Sequence, residues 1–143
     1  MKQLLVLLLA AMASCTSQQT PKQPEDNGVH DKHTATETVP LNNGIKWKAD
    51  EATKKNVAAM VQVVNDSILH TASKRQQLAA SIQSQLDTLI KQCRMKGAEH
   101  DALHVWLEKV LHDTKTMKEG KADYGESFVT LKSGIERFYE TFE

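Results

Sequence analysis

Between Cys93 and His104 the chain reads Cys-Arg-Met-Lys-Gly-Ala-Glu-His-Asp-Ala-Leu-His, which sets a thiol, a thioether and two imidazoles within twelve residues. Thiolate and thioether sulfur suit Cu(I), and a cysteine with two histidines also suits Zn(II). His100 and His104 are four apart, so on a helix they stand one turn apart on one face, the spacing at which two imidazoles share an ion. The candidate metal ligands are therefore Cys93, His100, His104 and Met95. Each also has a plainer reading: Cys93 as a small core hydrophobe, Met95 as cover for a turn, His100 as a hydrogen-bonded seam residue, and His104 as a surface partner of Glu108.

Known chemistries do not fit this stretch better. His100-Asp-Ala-Leu-His104 resembles the zinc-protease pattern His-Glu-x-x-His, but Asp101 stands where the general base would be and is one methylene short. Cys-x-x-Cys-His is absent, the last helical stretch has no histidine for an axial pair, and Glu-x-x-His is missing, so no haem or di-iron centre is expected. With no phosphate loop and no nucleophile elbow either, the chain is read as a non-enzyme.

The elements that must position the corner are helices. Asp50 is an N-cap candidate for a helix predicted over Glu51–His70, with Val57, Met60, Val61, Val64 and Ile68 on one face. Ser73-x-x-Gln76 has the form of a capping box, opening a second helix whose seam is Leu78, Ile82, Leu86, Leu89 and Cys93, with Gly97 as its stop. His100, Leu103, Leu107, Val110, Thr114 and Met117 form a third seam ending at Gly120. Asp123-x-x-Glu126 opens a fourth, with Tyr124, Phe128, Leu131, Ile135, Phe138 and Phe142. Gly125 and Gly134 interrupt it at about 1 kcal/mol each relative to alanine, a sign of close helix approach.

Four amphipathic helices on short connections, with no period-two alternation, predict an all-α, antiparallel up-and-down four-helix bundle over residues 44–143. Up-and-down order puts Cys93, Met95, His100 and His104 at one pole, with Trp47, Phe138 and Phe142 packing it. At the other pole His70, His112 and Met117 could meet, although Met117 simply continues its seam.

Before the bundle the sequence has a different character. Residues 1–14 carry a basic start at Lys2, an apolar run from Leu4 to Met12, and small residues before Cys15, as an export signal does. The run is too short to span about 30 Å of hydrocarbon as a helix. It resembles a bacterial lipobox, which implies cleavage before Cys15 and acylation of that residue, with Met12 departing from the usual leucine. Thr16 in place of an aspartate favours, by resemblance to enterobacterial sorting, the outer membrane with the bundle facing the periplasm. Residues 15–43 hold all three prolines and little apolar bulk, and are expected to form a disordered tether averaging about 30 Å and reaching roughly 90 Å. His30 and His33 lie within it.

Lysine plus arginine balance aspartate plus glutamate at 18 each, so nucleic acid is not an expected partner. The expected partners are a membrane through the lipid anchor and, on the plainer reading of the pole, another envelope protein. With Cys15 acylated, Cys93 would be the remaining thiol of the mature chain.

The two stretches Leu-Asn-Asn-Gly-Ile-Lys-Trp-Lys-Ala-Asp (41–50) and Cys93–His104 are similar to those of a family of small helical envelope lipoproteins of Bacteroidetes. The resemblance spans about residues 41–143 and implies the location and the helical fold; the family brings no assigned activity.

Overall fold

The computed structural model describes residues 38–66 and 71–143. The signal, Cys15, His30, His33, the tether as far as residue 37, Ile68 and His70 lie outside the described residues.

Helix α1 (Glu51–Asn65) starts where expected: Asp50 Oδ1 accepts the Thr53 N–H at 2.7 Å. Its buried stripe is Thr53, Asn56, Val57, Met60 and Val64. The helix ends at Asn65 rather than running on to His70. The Asn65-Asp66 pair favours this stop, because such short polar side chains compete for backbone hydrogen bonds.

The Ser73 capping box does not form. Ser73 sits inside a 3-10 turn (Ala72–Lys74), its hydroxyl 3.0 Å from that of Thr71, and α2 (Arg75–Gln92) begins without a side-chain cap. Leu78, Ile82, Leu86 and Leu89 of its seam are buried as read, whereas Cys93, read as the last of that seam, is the C-cap and half-buried. Gly97 does not end α2; it is the N-cap of α3 (Ala98–Glu119) at φ 65. The reason α2 stops earlier is Asp50, whose Oδ2 takes the Arg94 N–H at 2.6 Å and draws the chain out of the helix just after Cys93.

Helix α3 buries Leu103, Leu107, Val110, Thr114 and Met117 as its seam predicted, and adds Ala102, Trp106 and Asp113. Gly120 closes it in the left-handed conformation, at φ 67. Helix α4 (Tyr124–Glu136) is capped by Asp123, which accepts the Glu126 N–H at 3.2 Å. The fourth seam was expected to be one helix, but it breaks at Arg137, and a short α5 (Phe138–Thr141) carries Phe138 under the pole. The break lets the chain end pair with the segment before α1: Trp47 N–H donates to Thr141 O, Glu143 N–H to Trp47 O and Ala49 N–H to Glu143 O.

The helices form an all-α four-helix bundle, α1 against α2, α2 against α3, α3 against α4, with α4 closing on α1. The described residues contain no strand, only isolated bridges of Asn42 with Ile45 and Trp47 with Phe142. Among the described residues one apolar core runs from Val64 and Leu78 to Phe138 and Phe142. Each fully buried Leu, Ile, Val or Met contributes about 1.5–3 kcal/mol. No described helix is long and apolar enough to cross a membrane.

Candidate metal corner

The α2–α3 connection is five residues, Cys93 to Gly97, and its path is set by backbone partners. Cys93 N–H makes the last α2 bond, to Leu89 O at 2.8 Å; Arg94 N–H goes to Asp50; Asp101 N–H returns to Gly97 O at 3.0 Å and starts α3. The Arg94 guanidinium folds back onto the carbonyls of Lys91 and Cys93, at 3.0 and 2.9 Å, covering the orphan end of α2. Asn56 of α1 adds a bond to Gln92 Oε1 at 3.0 Å. The corner is therefore fastened to the start of α1 by two polar links.

Burial raises the Asp50 carboxyl, but the backbone N–H groups of Arg94 and Thr53 and the charge of Arg94 outweigh it and hold the group below its ordinary value. A carboxylate that accepts two backbone N–H bonds is stabilised in its charged form.

Within this frame Cys93 Sγ lies 3.8 Å from His100 Nδ1, both side chains half-buried. His100 and His104 rings stand 4.4 Å apart, tilted by 57°. His104 is exposed. Met95 is half-buried and packs against the hydrophobic core along with Cys93. The structure thus pairs Cys93 with His100 and His100 with His104, while Met95 is engaged by the core. Among the described residues no three His, Cys, Asp or Glu side chains gather into a group that could hold a metal ion.

The aromatic residues read as packing this pole have other partners in the described structure. Phe138 and Phe142 are buried and stacked at 4.7 Å, and Trp47 is half-buried, its Nε1–H donating to Pro40 O at 2.7 Å. That bond, with Val39 packed on the core, brings the chain onto the bundle before residue 44. At the opposite pole His112 is exposed and Met117 fully buried.

Two features went unread. Trp106 and Asp113, seven apart and beside the α3 seam, both face Gly134 of α4. Trp106 Nε1–H donates to Gly134 O at 2.9 Å, and a Cβ on Gly134 would stand 3.1 Å from Asp113 Oδ2. Lys109 neutralises the buried Asp113 at 3.0 Å. The heptad spacing of Trp106 and Asp113 opposite a helical glycine was the available signal. Asp50 was visible as a cap, but nothing in sequence marked its second bond, to a residue 44 positions away.

No family model, curated protein or solved structure matches the chain.

Proposed function

We propose that the chain is a non-catalytic, lipid-anchored protein of the bacterial envelope whose bundle pole binds one copper(I) or zinc(II) ion through Cys93 and His100, with His104 as third ligand, for metal handling or sensing. The observation that carries this is the 3.8 Å between Cys93 Sγ and His100 Nδ1. With Zn–S near 2.3 Å and Zn–N near 2.0–2.1 Å, two such ligands of one tetrahedral ion stand roughly 3.6 Å apart, so the pair needs to close by only tenths of an ångström. His104 is an exposed side chain one turn along the same helix, free to turn its ring toward that point. Met95 is left outside the ligand set, which is built on the contact between Cys93 and His100.

A second reading, an envelope interaction bundle without metal, draws on the fact that Cys93 packs against the core together with Met95. The two readings part in a competition titration of the unacylated chain against a Cu(I) chelator, repeated with Zn(II). One-to-one binding that is lost in Cys93→Ala and in His100→Ala is the expected result. Binding no tighter than that of a free thiol, or unchanged in either variant, would leave the interaction reading.

A further inference from the structure

Where α3 gives way to α4 there is a cleft of about 100 Å³, lined by Asp113 and Thr116 of α3, Ala122 of the connection, and Glu126, Ser127 and Thr130 of α4. Asp113 and Ser127 are each 6% exposed, whereas Glu126 and Thr130 are exposed, so the first two make its floor and the others its mouth. Ser127 Oγ is buried and has no hydrogen-bond partner. A serine carries only Cβ and Oγ beyond its backbone, so the wall that Ser127 gives the cleft lies within one bond of that oxygen. A buried hydroxyl left alone costs free energy, and in a native fold it calls for a partner from outside the chain.

The lining says which partner. Two carboxylates and the hydroxyls of Thr116, Ser127 and Thr130 offer acceptor oxygens, and the lining residues include no cation. An anion would meet only repulsion there. Lys109 Nζ holds Asp113 Oδ2 at 3.0 Å, while Glu126 makes no ion pair among the described residues. Two carboxylates against one ammonium leave a single negative charge unbalanced. A divalent metal is a poor match to that, since Ca²⁺ takes roughly six to eight oxygens and Mg²⁺ demands a near-ideal octahedron. Among the described residues no three His, Cys, Asp or Glu gather to hold one. A primary ammonium brings one charge and three N–H donors, which is what one unbalanced carboxylate and an orphan hydroxyl ask for. One water fills only about 10–15 Å³, so an alkyl stem also has room, with Ala122 as an apolar wall.

We infer that this cleft binds a small primary alkylamine, its ammonium seated on Asp113 and Ser127 Oγ with Glu126 closing the mouth. Nothing in this rests on the metal corner or on the anchor.

The test titrates the full chain with n-butylammonium at pH 7 and fixed ionic strength and follows the backbone amide NMR shifts. Saturable shifts centred on Asp113, Ala122 and Ser127 are expected, with a Kd of about a millimolar. Tetramethylammonium carries the same charge but no N–H donor, and should give no saturable shift. Ser127→Ala should weaken amine binding about tenfold and yet not lower the melting temperature, because it removes the orphan hydroxyl. Glu126→Gln, at an exposed position, should weaken binding about threefold. No saturable shift with n-butylammonium would overturn the site and leave the cleft to water. So would equal binding of tetramethylammonium, or affinity unchanged in Ser127→Ala. Ca²⁺ binding more tightly than the amine in the same titration would also overturn it, and would make the cleft a metal site.

Discussion

Asp50 Oδ2 accepts the backbone N–H of Arg94 at 2.6 Å while its Oδ1 caps α1, so one carboxylate fixes both the first turn of α1 and the exit of the chain from α2. An N-cap alone contributes about 1 kcal/mol, and a second charge-assisted bond adds a comparable amount. Asp50→Asn should therefore lower stability by about 1–2 kcal/mol at pH 7, since the amide can keep one acceptor but turns an N–H donor toward Arg94. The pH dependence has a definite sign. The folded carboxyl sits below its ordinary value of 3.8, so the native state binds fewer protons than the unfolded chain. Its contribution is present in full well above that value and is lost as pH falls through the lower folded one. Urea melts from pH 6 to 3 should show wild type losing stability more steeply than Asp50→Asn. Parallel curves would mean that the carboxylate has no such role.

The two glycines of α4 should answer differently to alanine. Replacing a helical glycine by alanine ordinarily gains about 1 kcal/mol. At Gly134 the new methyl would stand 3.1 Å from Asp113 Oδ2, and Asp113 is 6% exposed and held by Lys109, so it has nowhere to go. Overpacking of that kind costs about 1–3 kcal/mol, and Gly134→Ala should come out net destabilising by about 1 kcal/mol. At Gly125 the nearest atom, also at 3.1 Å, belongs to the exposed Asp123 side chain, which can turn away to water. Gly125→Ala should then change stability by less than about 0.5 kcal/mol, the propensity gain offsetting a weakened cap. A stabilised Gly134→Ala in denaturant titration would show that the α3–α4 contact is looser than its distances state.

How much of this was legible in the sequence follows from what each signal measures. Periodicity reports burial, and so Leu78, Ile82, Leu86, Leu131 and Ile135 were placed correctly, as was the bundle they build. Capping patterns report only local competition for backbone donors, and here they divide: Asp50 and Asp123 cap as read, while Ser73 bonds Thr71 instead. The ends of α2 and of the last helix were misplaced because tertiary partners decide them, Asp50 for the first and the Trp47 segment for the second. The corner shows the same division. Sequence spacing put Cys93 beside His100 and His100 beside His104, and the plainer readings of Cys93 and Met95 as packing residues correspond to the contact both make with the core.

Gly120 offers a test of the opposite pole. It adopts φ 67, and a Cβ there would stand 2.9 Å from Arg75 Nη1, which donates to Ala122 O at 3.1 Å while the guanidinium lies over the Tyr124 ring at 5.6 Å. Gly120→Ala should cost about 2 kcal/mol in all, roughly 1 for the left-handed backbone and the remainder for pushing Arg75 off its partners. The two parts separate in a double-mutant cycle. Because alanine at 120 already displaces the guanidinium, adding Arg75→Ala should cost less in that background than in wild type. Strict additivity would mean that Arg75 keeps its bonds despite the new methyl.

The corner residues should rank in a particular order if an ion sits between Cys93 and His100. Cys93→Ser replaces a soft thiolate by a weak, protonated oxygen ligand and should weaken Cu(I) binding most, by more than about a hundredfold. His104→Ala should weaken it by about ten- to a hundredfold and leave the melting temperature unchanged, because the side chain is exposed and its ring lies beside that of His100. Met95→Ala should do the reverse: affinity within about twofold of wild type, and stability lower by roughly 1–2 kcal/mol for the lost packing of a half-buried side chain on the core. Chelator competition and thermal melts on the same three variants give both columns of that comparison. If Met95→Ala were the variant that lost the ion, the thioether would be a ligand after all, and the turn between Cys93 and Gly97 would have to refold to bring it round to His100.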